Sequence, residues 1–205
     1  MYIPKHYLIE DKNEIIDFMK KYSFATIITV KDNFQTASHL PFAIFERNEE
    51  LILVSHFAKN NNQYKEIEEN NVLVIFTEPH AYISPKYYEK ELNVPTWNYI
   101  SIHAYGKGKL ITDNEGSYEV LAKMINTYEK SYKNQWDNLP EEYKNNMLKG
   151  IVSFEIVVTD LQGKKKLSQN KTEKERESII TSFSKSDDNN EKQISEYMSK
   201  NNKSF

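Results

Sequence analysis

Five histidines, no cysteine, and two segments crowded with aromatic and polar side chains hold most of what this chain offers to chemistry. The segments are "PHAYISPKYY" (79–88) and "VPTWNYISIHAYG" (94–106). Loops that spend Trp, Tyr, His, Asn and Ser together are usually arranged to contact something, with a rigid scaffold behind them. His80 and His103 lie in these segments, whereas His39 and His56 fall in strand-like runs elsewhere. No two of these four stand at i, i+2 or i, i+4, and there is no cysteine to complete a ligand set, so no metal site is expected. Disulfides and thiolate nucleophiles are excluded for the same reason. The chain contains no Gly-x-Ser-x-Gly, no phosphate-binding P-loop and no Rossmann glycine-rich turn. No catalytic residue can therefore be named, and any reaction would be carried by a bound group that the protein positions.

The elements that must hold these residues read as α+β and β-rich. Residues 11–22 place Ile15, Ile16, Phe18, Met19 and Tyr22 on one helical face, with Asp11 as N-cap and Glu14 at the capping-box position. "FATIITVK" (24–31) reads as a strand, followed by the turn "KDN". Two further strands are expected at 35–45 and 51–57, separated by "ERNEE", and together they suggest an antiparallel meander. Residues 59–70 read as a helix with Tyr64 and Ile67 inward, leading into a strand at 72–79. A loop over 80–97 precedes a strand pair at 98–112, where Gly106 and Gly108 suggest a bulge or bend. Helices follow at 114–133 and from Leu139–Pro140 onward. In "GIVSFEIVVTDLQG", Val152, Phe154, Ile156 and Val158 alternate, and "DLQG" reads as a hairpin connection. Beyond Thr172 the pattern is helical, broken at 186–190 and resumed through Ile194, Tyr197 and Met198. The expected domains are 1–172 and a C-terminal helical extension, 173–205.

The 205 residues suffice for an ordinary core without staples. Net charge is −3, from 27 basic and 30 acidic residues. Phosphate contacts dominate nucleic-acid affinity, so this balance, with no convincing helix-turn-helix, argues against direct DNA binding. Lys164–Lys166 reads as a solvated turn. No apolar leader or membrane-length run is present, and a cytoplasmic location is expected.

Several motifs resemble one family over nearly the full chain: "MYIPKHY", "FATIITV", "ASHLPF", the two aromatic segments, and "KKKLSQNKT" (164–172). They resemble the PaiB family of FMN-binding negative transcriptional regulators. The family's fold is similar to the antiparallel split β-barrel of the pyridoxamine-phosphate oxidases, with flanking helices. In that architecture flavin lies between two subunits, so the resemblance implies FMN as cofactor and a homodimer.

By the same resemblance, "LVSHFAKNNNQYKEIEENN" occupies the place that holds the FMN phosphate. A dianion there needs a cation, polar donors and free backbone N–H groups, and Ser55, His56, Lys59 and Asn60 supply that inventory. An Arg is usual in the family at the position of Lys59 and a Gly at that of Ser55; Lys keeps the charge but not the bidentate fork. Backbone groups of Ser38, His39 and Leu40 are expected along the isoalloxazine edge, and loops carrying Tyr82, Ser84, Trp97 and Asn98 are expected to close the groove. The resemblance implies a regulator or sensor. Alternatives are an FMN-dependent oxidoreductase acting on a small substrate, a haem-binding protein, or a dimeric module without cofactor. The C-terminal helices are candidates for docking a protein partner or for covering a barrel edge.

Overall fold

A computed structural model describes residues Met1–Asn202. The chain divides into two compact units that share its long strands, one of residues 16–76 and 103–161, the other of residues 1–15, 77–102 and 162 onward. The last three residues of the expected C-terminal extension, 203–205, lie outside the described residues.

The first unit contains strands β1 (Phe24–Lys31), β2 (Phe34–Pro41), β3 (Ala43–Arg47) and β4 (Glu50–Ala58). It also takes residues 71–76 of β5 (Asn71–Ile83), 103–111 of β6 (Thr96–Ile111) and 151–161 of β7 (Ile151–Lys166). These strands form one sheet in the order β2-β1-β5-β6-β7-β4-β3, which leaves β2 and β3 as its two edges. The β1–β2 hairpin turns through Asp32 and Asn33, and β3–β4 through Asn48 and Glu49, all four at positive φ. Paired left-handed residues give a two-residue turn the twist that flanking strands require, and Asn and Asp tolerate that conformation best.

Alternation does the rest. In β1 the odd positions Ala25, Ile27 and Thr29 are buried, and they share their face with Ser38 and Thr36 of β2 through the pairs Ile27↔Ser38 and Thr29↔Thr36. Phe42, Phe57, Phe76 and Phe154 meet in the interior, with Phe57 and Phe154 stacked at 4.7 Å between centroids. On the opposite face of β3 and β4, Ala43, Ile52 and Val54 pack under Val120 and Met124 of α2 (Asn114–Tyr128). That helix is entered through Asp113, whose side chain accepts from the Gly116 N–H. Short helices α3 (Lys133–Asn138) and α4 (Glu141–Leu148) complete the unit. The first helix of the chain, α1 (Lys12–Lys21), runs into it from the other unit.

The second unit holds the remaining halves of β5, β6 and β7, together with α5 (Glu173–Phe183) and α6 (Asn189–Asn202). Thr172 and Glu175 make the reciprocal capping box of α5. Glu175 also accepts from the Glu89 N–H, and Phe183 packs edge-on against Tyr87, so α5 lies against the connection that holds these two residues.

Several sequence expectations are corrected. Residues 59–70 are not a helix. Only Asn62–Glu66 forms a 3-10 turn, because the run Asn60–Asn62 favours side-chain-to-backbone turn closure over helix propagation. The expected strand 35–45 is divided at Phe42, where its N–H turns to the Ser23 carbonyl. The loop 80–97 is shorter than expected, since β5 runs on to Ile83 and β6 begins at Thr96. The expected strand pair over 98–112 is one continuous strand, β6, in which Gly106 and Gly108 permit close approach. A Cβ on Gly106 would lie 2.3 Å from the Val157 carbonyl oxygen, and one on Gly108 would lie 2.7 Å from that of Ile67. "DLQG" lies inside continuous β7 rather than at a hairpin. Asp11 accepts from the Asn13 N–H at the start of the first helix, as expected of its N-cap, and Glu14 reaches Lys165.

Candidate functional site

The turn after β4 is fastened at several points. The Lys59 N–H donates to the Gly150 carbonyl at 2.8 Å, and the Asn61 N–H to that of Ala58 at 2.9 Å. The Asn61 side chain caps the 3-10 turn through the Gln63 N–H, and its amide donates to Ser38 Oγ at 2.9 Å. Gln63, only 2 % exposed, sends its Nε2 to the Ile27 and Thr36 carbonyls and to Thr29 Oγ1, at 3.2, 3.0 and 3.2 Å. Thr29 in turn donates to Glu66 at 2.6 Å. Lys59 and Asn60 stand exposed on this anchored turn, with the Lys59 ammonium 5.5 Å from the centre of the Tyr64 ring.

The neighbouring residues divide by face. Ser55 is fully buried and donates to the Pro41 carbonyl at 2.7 Å, so its hydroxyl ties β4 to the end of β2. His56 pairs in register with Ser153 of β7, and His56 Nδ1 and Ser153 Oγ are both buried without a hydrogen-bond partner. Burial pulls the His56 pKa down, which keeps its ring neutral. His39 points to the other side of β2, with its Nδ1 2.9 Å from Thr26 Oγ1, and Leu40 is half-buried opposite Ala25. Because β2 is an edge strand, one side of its backbone over Ser38–Leu40 carries no neighbouring strand.

The other four expected site residues belong to the second unit, on strands and a strand end rather than in an open loop. Trp97 packs at 5.9 Å from both Tyr82 and His80; Trp97 is 51 % and Tyr82 48 % exposed. Ser84 caps the 3-10 turn Pro85–Tyr87 by accepting from the Lys86 N–H. Asn98 is fully buried and accepts from the Ser168 hydroxyl at 3.1 Å. Asn61 and Gln63, which hold the β4 turn in place, were missed by sequence reasoning. No local pattern marks Gln63, whose partners lie 27 to 36 positions away.

Residues 1–160 match the family model described as "Putative FMN-binding domain". The chain belongs to this FMN-binding family. It is 39 % identical over 201 residues to "Protease synthase and sporulation protein PAI 2" of Bacillus subtilis (strain 168), covering 97 % of this chain and 96 % of that protein. It is also 29 % identical over 186 residues to an uncharacterized protein of Emericella nidulans, covering 72 % and 74 % of the two chains. Among solved structures, it resembles an FAD and heme binding protein from Mycobacterium smegmatis, with TM-score 0.61, 13 % identity, and 78 % and 73 % of the two chains covered. The flavocytochrome Anf3 from Azotobacter vinelandii gives the same TM-score at 12 % identity, with 80 % and 72 % covered. The family's fold is the split-barrel flavoprotein fold, and its cofactor is FMN.

The turn after β4 has the chemistry that cofactor requires. An exposed ammonium and amide stand on a rigid turn, beside an edge strand with open backbone and two unpaired buried polar atoms, His56 Nδ1 and Ser153 Oγ. What it lacks is the helix dipole expected from the sequence, since a 3-10 turn of five residues replaces the helix. Among the described residues, no group of three or more His, Cys, Asp or Glu is placed to hold a metal ion. No helix among them is long and apolar enough to cross a membrane.

Proposed function

We propose that this chain binds FMN at the turn after β4, and that it works as a homodimeric flavin-dependent regulator or sensor. The observation that carries the reading is the anchored turn: a fixed scaffold of Asn61 and Gln63 presenting Lys59 and Asn60 next to the open edge of β2. In this reading Lys59 and Asn60 hold the phosphate. The backbone of Ser38, His39 and Leu40 receives the polar edge of the ring. His56, kept neutral by burial, donates or accepts a hydrogen bond without adding charge. When bound, FMN supplies a reversible redox centre whose behaviour the protein tunes by hydrogen bonding and field.

Two observations support a second protomer. On the outer face of β1, β5 and β6, Ile28, Leu73, Ile75, His103 and Tyr105 are only half-buried within a single chain, and Val30 is 38 % exposed. A contiguous apolar sheet face of this kind is what an isologous dimer covers. In the second unit, the half-exposed Tyr82 and Trp97 are a separate aromatic area of the kind that interfaces cover. The regulatory part of the reading is supported by the motif resemblance to the PaiB family; the near full-length relative PAI 2 is named a protease synthase and sporulation protein. The balanced charge favours action through a protein partner, for which α5 and α6 are the candidate surface, over direct DNA contact. The test is to purify the protein, record its visible spectrum and sedimentation, and titrate the apo form with FMN. Flavin bands, saturable binding and a dimer are expected; a protein without affinity for FMN would overturn the reading.

A further inference from the structure

The motif "KKKLSQNKT" ends in a pocket that the flavin reading does not use. The pocket has a volume of about 200 Å³ and lies within the second unit. Its buried residues are Tyr7, Tyr88, Asn98 and Ser168, Lys166 and Lys171 flank them, and Val94 and Pro95 stand exposed at its rim.

The polar groups here include two ammonium donors and several hydroxyls and amides, and some of them are weakly bonded or unbonded. Tyr88 is 9 % exposed, and its buried hydroxyl has no hydrogen-bond partner. Asn98 offers its amide to the thioether of Met198 at 3.5 Å, a poor acceptor. The Tyr7 hydroxyl reaches Asn170 Oδ1 only at 3.4 Å. Lys166 bonds Thr96 Oγ1, and Lys171 lies 3.7 Å over the Tyr88 ring and bonds Asn93. Ser168 sits at φ 61°, a left-handed conformation that a serine holds only where its surroundings impose it. Native proteins rarely leave a buried hydroxyl orphaned without a reason such as a ligand.

We infer that this pocket is a binding site for a small monoanionic carboxylate with a compact neutral body. Two ammonium groups and the unpartnered Tyr88 hydroxyl lining one cavity select an anion. Burial raises the Tyr88 phenol's pKa, and the carboxylate of Glu175, held by the Thr172 and Glu89 N–H groups, raises it further; that negative charge weighs against a dianion such as phosphate. Val94 and Pro95 give the ligand body an apolar wall. Burial pulls the Lys166 pKa below its usual range, and a bound anion would return it upward.

The experiment is ligand-observed NMR on the full chain with acetate, butyrate, benzoate and inorganic phosphate, with and without FMN. Expected is saturable binding of at least one carboxylate, tighter than phosphate and unaffected by FMN. Tyr88→Phe should weaken it about tenfold and Lys166→Met should abolish it. Tyr88→Phe removes a hydroxyl that bonds to nothing, so the ligand-free variant should melt at the wild-type temperature or above it. No saturable carboxylate binding, tighter binding of phosphate, indifference to both substitutions, or displacement by FMN would each overturn the inference.

Discussion

Gln63 is the residue on which the geometry of the β4 turn depends, and its replacement tests that dependence. Gln63→Leu keeps approximate volume and deletes the Nε2 group that serves the Ile27 and Thr36 carbonyls and Thr29 Oγ1. Each neutral hydrogen bond is worth about 1 kcal/mol net. The carbonyls keep a second lone pair, and Thr29 keeps its bond to Glu66. The variant also removes the buried Oε1 that has no partner, which offsets part of the loss. The balance is a destabilisation of about 1–2 kcal/mol, or a Tm lower by roughly 2–8 °C for a chain of this size. Gln63→Glu should cost more, because it places a carboxylate oxygen against the same two carbonyls in a buried site. Differential scanning calorimetry ranks wild type, Gln63→Leu and Gln63→Glu in falling order. FMN affinity should fall about tenfold in Gln63→Leu, which is 1.4 kcal/mol, since Lys59 and Asn60 lose their anchored turn. If Gln63→Glu were as stable as wild type, the amide would not face three acceptors and the reasoning would fail.

Two other perturbations read the scaffold. Gly106→Ala must push a Cβ into the Val157 carbonyl oxygen, and because backbone on both sides has to move, a loss of about 3 kcal/mol or more is expected by urea unfolding. Gly150→Ala, which meets only the Met147 oxygen at 3.4 Å, should change stability by less than about 0.5 kcal/mol; equal effects would refute the close-approach argument. Burial lowers the pKa of both His56 and His103, so the unfolded chain binds their protons more readily than the native one. Stability should therefore be at its full value above about pH 6.5 and fall as pH drops below it toward the folded-state pKa values. Urea midpoints at pH 8, 7, 6 and 5.5 measure this, and His56→Gln should flatten the decline; a midpoint that does not change below pH 7 would contradict it.

How far these features were legible in the sequence depends on how local they are. The hairpin turns at Asp32–Asn33 and Asn48–Glu49, the strand β1 and the helix that starts after Thr172 are decided by neighbours in the chain, and the sequence reading has each of them in place. The errors arise where distant chain decides. The stretch 98–112 reads as a strand pair but is one strand, β6, whose Gly106 and Gly108 approach the distant Val157 and Ile67 carbonyls. "DLQG" has turn residues but continues β7. The Asn60–Asn62 run hid a short 3-10 turn behind a helical pattern. The site behaves the same way. Lys59 and His56 could be named from residue type and family resemblance, whereas the anchoring by Gln63 and the burial of Ser55 and Asn98 depend on contacts across 14 to 70 positions.

The central claim is that FMN is held at the β4 turn by Lys59, and FMN titration of wild type, Lys59→Ala and Lys59→Arg tests it most directly. Lys59 is exposed and its side chain lies over one ring, so Lys59→Ala should leave Tm nearly unchanged. Loss of a charge-assisted contact worth about 1.5–3 kcal/mol should weaken FMN about 10- to 150-fold. Lys59→Arg, with a fork that fits phosphate, should bind at least as tightly as wild type. Equal FMN affinity in all three proteins would contradict the assignment.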